Sequence, residues 1–218
     1  MHLLNLLNIP LLLAITTSAL AQVDVMPTLI VSKSTFVTDG VIEMKEVKLL
    51  QTTVVHKIES GTLNSVLYSF LYTDGSGTFS GIKGNIDNFK NPLGTNWSTA
   101  CSKDPVTDRK KCYLHLKDLF VYVFPKGGVT VSVGREHFSG STVALRIDQA
   151  APMVAFGKDD GDFSRQTSSR IISQISTAKL ITTRYMKWPY KTWIDETWEP
   201  YGFNEAYKYI TWAVERIQ

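Results

Sequence analysis

Short runs of β-branched and aromatic residues, separated by turn signals, recur along most of the chain. Such runs predict β-strands because these side chains pack well on a pleated sheet. In the first half, the DGSG turn at 74–77 separates two runs, and glycine supplies the positive φ that tight hairpin turns require. The strands predicted in this half are 28–32, 47–58, 63–72 and 78–82.

The second half alternates more regularly between apolar and polar residues. In 129–133 (VTVSV) and 142–148 (TVALRID), every second residue is apolar, which places the apolar side chains on one face of a half-buried strand. Further strands are predicted at 97–101, 112–116, 119–124, 179–188 and 191–198.

Two segments have helical spacing instead. The segment 166–176 carries Ile171, Ile172 and Ile175 on one side, and Ser164 is its predicted N-cap. A C-terminal helix that packs one face on the sheet is predicted from apolar residues at helical spacing. These residues are Ala206, Ile210, Ala213, Val214 and Ile217.

Strands and helices do not alternate along the chain, which argues against a parallel βαβ fold. We therefore predict a mainly β (α+β) fold: an antiparallel β-sandwich-like domain with a short internal helix and a C-terminal helix, preceded by an N-terminal β-hairpin segment. The stretch 84–96 is rich in Gly, Asn and Pro and predicts a long loop or linker. The predicted division is a leader at 1–21, an N-terminal β segment at 22–90 and the sandwich-like domain at 91–218.

Residues 1–21 resemble a secretory signal peptide. They contain no Lys, Arg, Asp or Glu, and an apolar run at 3–15 leads to Ala19, Leu20 and Ala21, the A-x-A pattern that signal peptidase reads. The region before the apolar run departs from the usual pattern because it has no basic side chain. Pro10 and the short apolar run disfavour a spanning helix. We expect a periplasmic or secreted protein that starts at Gln22 and has no membrane span after cleavage.

The charge balance constrains the partner. The chain has 23 Lys and Arg against 20 Asp and Glu, a net charge of +3, and these charges are spread along the sequence. A nucleic-acid binder would show a clustered basic face. The expected partner is therefore a protein or a cell-wall component, and no nucleic acid.

The only two cysteines, Cys101 and Cys112, bracket the segment CSKDPVTDRKKC. Ten intervening residues fit neither a C-x-x-C redox motif nor the short paired spacings of a zinc site. In an oxidising compartment the pair predicts a structural disulfide that closes a hairpin.

Inside that hairpin, polar residues allow two interpretations. They are turn formers, or they are the contact residues of a binding loop that the disulfide holds rigid. The candidate contacts are Asp104, Thr107, Asp108 and Arg109.

A second candidate surface is an aromatic segment near the C-terminus. Four of the five tryptophans lie between 188 and 212, and the candidate ligand contacts are Trp188, Tyr190 and Trp193. Aromatic residues in strands also fill cores, so a core and a ligand platform both remain open for this segment.

We find no catalytic motif and predict no metal or cofactor. There is no G-x-S-x-G elbow, and six positions after Gly161, where a calcium loop needs a glutamate, the residue is Thr167. One tight acidic cluster includes Asp195 and Glu199 and would serve a hydrolase only with further positioned groups.

The region from about 97 to 217 resembles a group of bacterial exported β-sandwich proteins, the invasion-associated locus B family and the VasI-type accessory proteins of type VI secretion. The resemblance is carried by five short features, and residues 22–90 are not covered by it. These features are the strand from Trp97 to Cys101, the DPVTD turn at 104–108, LFVYVF at 119–124, GSTVALRID at 140–148 and Gly202-Phe203 before the last helix.

The resemblance implies a non-enzymatic envelope protein associated with secretion or host colonisation, and it implies no catalytic residues. We therefore expect an exported bacterial protein that binds a protein or cell-wall partner without chemistry. The alternatives are a cell-wall hydrolase and a secreted inhibitor or immunity protein that uses the disulfide hairpin as its inhibitory loop.

Overall fold

A computed structural model describes residue 36 and residues 40–48, 55–71, 74–83, 96–156 and 161–217. The predicted leader at 1–21 and the predicted strand at 28–32 lie outside the described residues. The strands in the described ranges are β1 (Gly40–Lys48), β2 (Val55–Leu63), β3 (Val66–Leu71), β4 (Gly77–Ser80), β5 (Asn96–Lys103), β6 (Lys110–Leu116), β7 (Leu119–Phe124), β8 (Gly128–Val133), β9 (Thr142–Ile147), β10 (Met153–Phe156), β11 (Ile181–Lys187) and β12 (Thr192–Trp198). The α-helices are α1 (Arg165–Ile175) and α2 (Phe203–Val214).

The first eight strands form one antiparallel sheet, the long sheet, in which each strand pairs with the next along the chain. The remaining four form the short sheet, in the order β10-β9-β11-β12, and all their pairings are antiparallel. The fold of the described ranges is therefore mainly antiparallel β and sandwich-like, with two α-helices, and the predicted fold class is confirmed.

One face of the long sheet is the core, and α2 packs across it against β4 to β7. Alternate residues of β6 to β8 point to this face, including the buried Leu114, Val121 and Val131. In α2 the buried Tyr209 stacks on Phe70, with 4.8 Å between ring centroids. The predicted amphipathic helix is present and ends at Val214.

The start of α2 depends on one glycine. Gly202 has a φ of 77°, the left-handed region that L side chains avoid, and a Cβ there would overlap the backbone carbonyl of Ser80. Nearby, the buried Trp97 donates its indole N–H to the carbonyl of Tyr201 at 2.8 Å. These contacts join the beginning of the helix to β4 and β5.

Helix α1 packs on β8, at the end of the long sheet. Its predicted N-cap is confirmed, since the Ser164 hydroxyl accepts the backbone N–H of Thr167. The buried hydroxyl of Ser168 accepts the Val131 N–H at 2.9 Å and donates to the Phe163 carbonyl at 3.1 Å. This serine therefore ties the helix to a backbone group of the sheet.

Three local predictions need correction. The predicted strand 47–58 is wrong as one element because it joins the end of β1 to the start of β2. The predicted strand 63–72 starts too early, because Asn64 and Ser65 form a turn with positive φ before β3. Strand β10 was not predicted, because it has only four residues and follows a loop without turn-forming glycines.

Strands on either side of the predicted boundary at 90–91 are hydrogen-bonded neighbours, since β4 pairs with β5. In the part of the chain that the structure describes, no helix is long and apolar enough to cross a membrane.

Candidate binding cleft beside the disulfide hairpin

Cys101 and Cys112 lie directly opposite each other on β5 and β6 and form a disulfide bond, as predicted. Their Cα atoms are 4.0 Å apart, and Cys112 is fully buried on the core face. The bond therefore joins the two strands just before they leave the sheet as the exposed loop 104–109, which we call the disulfide loop.

The disulfide loop is organised by Asp104. Its carboxylate accepts the backbone N–H groups of Thr107 at 2.7 Å and Val106 at 2.9 Å, and these bonds hold the pKa of the Asp104 carboxyl below its usual value. Lys103 pairs with Asp108 at 2.9 Å. The turn-forming interpretation of Asp104 therefore holds, and the loop projects with Val106 at its tip, 89% exposed.

An open cleft of about 610 Å³ lies next to the loop, on the face of the long sheet opposite α2. Outward-facing residues of β5 to β8 form its floor, and the disulfide loop, the segment 134–137 and Asp162 form its walls. The lining residues are Ser102, Lys103, Asp104, Arg109, Lys111, Tyr122, Phe124, Thr130, Ser132, Gly134, Arg135, Glu136, His137 and Asp162. We call this site the basic cleft, and two of the predicted loop contacts, Asp104 and Arg109, belong to it.

The cleft carries cationic side chains that are not neutralised. Arg109, Lys111 and Arg135 are all exposed, and across the described ranges none of the three has a carboxylate within 4.0 Å. The Arg135 guanidinium lies 4.1 Å from the centre of the Phe120 ring, and the Lys111 ammonium lies 5.8 Å from that of Tyr122. The aromatic rings therefore position the charges without cancelling them.

A row of aromatic rings continues from the cleft along this face. Tyr113 lies 5.9 Å from Tyr122, and His115 stacks on Phe120 with 5.3 Å between ring centroids. Burial, and then the charge of Arg135, lower the pKa of His115, and burial raises the pKa of Tyr122. Both rings are therefore neutral near pH 7, and the positive charge of the face comes from lysine and arginine.

The predicted aromatic contacts lie elsewhere, on and around the β11–β12 turn of the short sheet. Trp188, Tyr190 and Trp193 are 58%, 79% and 49% exposed, and none of them lines the basic cleft. Tyr185 and Trp198, from the same segment, are buried in the core. The segment thus divides between the two interpretations left open: some rings fill the core and these three face solvent.

The acidic cluster considered for hydrolysis is engaged in a surface ion pair. Arg184 donates to both carboxylate oxygens of Asp195, at 2.6 and 2.7 Å, and this pair lowers the pKa of Asp195. A carboxyl held ionised in this way is a poor general acid. Within the described ranges, no group of three or more His, Cys, Asp or Glu side chains is arranged to hold a metal ion.

Sequence reasoning missed most of the cleft. Lys111, Tyr122, Phe124, Arg135 and Asp162 were not proposed as contacts, because they come from four separate stretches of the chain. One signal was available: if Leu119, Val121 and Val123 face the core, alternation turns Tyr122 and Phe124 to the opposite face.

Compared with protein families, with curated proteins and with solved structures, the chain matches none of them.

Proposed function

We propose that this is an exported, non-enzymatic bacterial envelope protein that binds a protein or cell-wall partner, and that the partner docks in the basic cleft. The resemblance described above adds an association with secretion or host colonisation to this proposal. The leader-like residues 1–21 and the disulfide support the export part, since disulfides persist in oxidising compartments.

One observation carries the binding proposal: Arg109, Lys111 and Arg135 line an open cleft without a carboxylate partner in the described ranges. Their positive charge is therefore available to an anionic partner that enters the cleft. The disulfide loop forms one wall of the cleft and is braced by the Asp104 turn and by the bond between β5 and β6. A braced wall loses little conformational entropy when a ligand binds.

The test measures retention of the purified protein on isolated bacterial cell walls and in affinity capture from envelope fractions. The double variant Lys111→Ala with Arg135→Ala should lose about tenfold in retention, because both exposed cations leave the cleft. The control pair Arg170→Ala with Lys208→Ala also removes two exposed cations, but from helix surfaces outside the cleft. Equal retention of both double variants would contradict the proposal, and N-terminal sequencing of the exported protein should begin at Gln22.

The inhibitor or immunity alternative has one supporting observation, the projecting loop tip. Val106 is 89% exposed on a turn that Asp104 and the disulfide brace, as an inhibitory loop requires. Val106→Asp should then abolish capture of a protein partner and leave retention on cell walls unchanged. If the variant behaves like wild type in both assays, the loop tip is not the contact.

A further inference from the structure

The basic cleft does not end at the edge of the sheet. Two more cavities, of about 390 and 410 Å³, adjoin it, and Phe124 lines all three. The first shares Arg109 with the cleft and adds Lys110, and the second shares Thr130 and adds Lys126 and Arg165. The three cavities therefore adjoin one another around Phe124, and we call them together the basic groove, which extends from Arg135 past Phe124 to Arg165 at the N-terminal end of α1.

Cations occur along the whole of this groove. Arg135, Lys111 and Arg109 line the cleft, Arg109 and Lys110 line the first adjoining cavity, and Lys126 and Arg165 line the second. The described salt bridges include none of these six side chains. A compact ligand with a single charge would use one end only, whereas a chain with repeated negative charges would use all of it.

The floor of the groove presents flat rings beside hydroxyl groups. Tyr122 and Phe124 face the same way on β7, two residues and therefore about 7 Å apart. Ser102, Thr130 and Ser132 line the cleft around them. Aromatic rings beside hydroxyl groups suit a ligand whose own rings can stack on them through an apolar face and whose hydroxyls can hydrogen-bond.

The carboxylates in the groove indicate which class of polymer it can bind. Asp104, Glu136 and Asp162 line the same cleft as Arg135, and Asp108 lines the first adjoining cavity. Glu136 also pairs with Lys187 at 3.7 Å. The ionised phosphates of a nucleic-acid backbone can only accept hydrogen bonds, whereas the hydroxyls on every unit of a polysaccharide can donate hydrogen bonds to these carboxylates. We propose that the basic groove binds an extended acidic polysaccharide, whose carboxylates pair with the lysines and arginines and whose sugar rings stack on Tyr122 and Phe124. This inference rests on the proposed function, since it names the chemistry of the partner.

The test uses oligomers of galacturonic acid as the probe and titration calorimetry as the readout. A dodecamer should bind the wild-type protein at least about tenfold more tightly than a trimer, and added salt should weaken binding because the charges are screened. An uncharged glucose dodecamer should not bind. Arg165→Ala should weaken dodecamer binding about fivefold and leave trimer binding unchanged, because Arg165 lies at the far end of the groove.

The matched control is Arg170→Ala, on the same helix but roughly 140° around its axis at 3.6 residues per turn. It should bind both oligomers like wild type. Both arginines are exposed, so neither change should unfold the protein, and Phe124→Ala provides a second variant that should weaken both oligomers.

Several results would overturn the inference. Equal affinity for trimer and dodecamer, or equal behaviour of Arg165→Ala and Arg170→Ala, would show that the ligand does not extend along the groove. Tighter binding of a single-stranded oligonucleotide or of poly-glutamate at matched charge would replace the polysaccharide with another polymer. If cell-wall retention still depends on Lys111 and Arg135 while the galacturonate oligomers fail to bind, the proposed function stands and this inference alone fails.

Discussion

The basic cleft and the exposed aromatic rings of the short sheet are both surface sites with an arginine beside an aromatic ring. They differ in whether that arginine is paired with a carboxylate. In the cleft, Arg135 lies over Phe120, and across the described ranges no carboxylate is within 4.0 Å of it. On the short sheet, Arg184 lies 5.9 Å from the centre of the Trp193 ring and is bound through two hydrogen bonds by Asp195. The arginine of the cleft keeps its charge available, whereas the arginine of the short sheet is neutralised.

This difference shows why exposed tryptophans alone are a weak indicator of a binding site. An anionic ligand at the short sheet would have to compete with Asp195 for Arg184. In the cleft, an anionic ligand can pair with cations that have no carboxylate partner in the described ranges. The cleft is also recessed and walled by a braced loop, so it can exclude water from several sides of a ligand.

The largest effect is expected where the two regions meet. Gly134 has a φ of 76°, and a Cβ there would lie 2.5 Å from the Tyr185 ring. Gly134→Ala should lower the free energy of unfolding by about 3 to 4 kcal/mol, because it adds a steric clash in the core to a strained backbone. Urea titration measures the loss.

Gly140→Ala is the matched control for that change. Its φ is 77°, but a Cβ there meets nothing within 4 Å, so it should cost only about 1 kcal/mol for the backbone strain. Equal stability of the two variants would mean that the close approach of Gly134 to Tyr185 does not contribute to the stability of the fold.

Loss of the disulfide should affect the cleft region more than the short sheet. Cys101→Ala with Cys112→Ala should lower the free energy of unfolding by about 3 kcal/mol, the value expected for closing a loop of this length. Lys111 is adjacent to Cys112 in β6, so cell-wall retention should fall as well. Reduced wild-type protein should behave like the variant. Unchanged cell-wall retention in both would show that binding does not depend on the disulfide.

The two regions should lose their contributions to the free energy of unfolding at different pH values. The folded pKa of His115 is lowered by burial and by Arg135, so below its ordinary value of 6.5 the unfolded chain takes up a proton first and the folded state loses stability. The folded pKa of Asp195 is lowered by Arg184, so that contribution is lost only below the ordinary carboxyl value of 3.8.

His115→Gln should remove the first of these two pH dependences and keep the second. Because His115 is only partly buried, the stability involved is less than about 1 kcal/mol. Unfolding midpoints in urea between about pH 2 and about pH 7 test both dependences. If the variant kept the wild-type dependence between about pH 4 and about pH 7, a group other than His115 would cause that loss.

The contrast also explains which parts of the structure could be predicted from the sequence. Alternation along β8 and β9 and the isoleucine spacing of α1 are local patterns that depend on the pleat and on the helical repeat. The disulfide followed from cysteine count and spacing, and it staples one hairpin. The basic cleft could not be predicted in the same way, because Arg109, Lys111, Arg135 and Asp162 become neighbours only through sheet pairing and the return of the chain before α1. A few cations that are separate along the chain therefore line one cleft of the fold.

The smallest effect is expected at Trp193, a half-exposed ring of the short sheet. Trp193→Ala should change cell-wall retention by less than about twofold, because Trp193 lies outside the basic cleft and its arginine neighbour keeps Asp195. Lys111→Ala serves as the comparison, since it removes one exposed side chain from the cleft and should reduce retention severalfold. A Trp193→Ala protein that lost more retention than Lys111→Ala would reverse the assignment and make the short sheet the contact surface. Unpaired charge in a recess, rather than exposed aromatic area, is the property that this comparison measures.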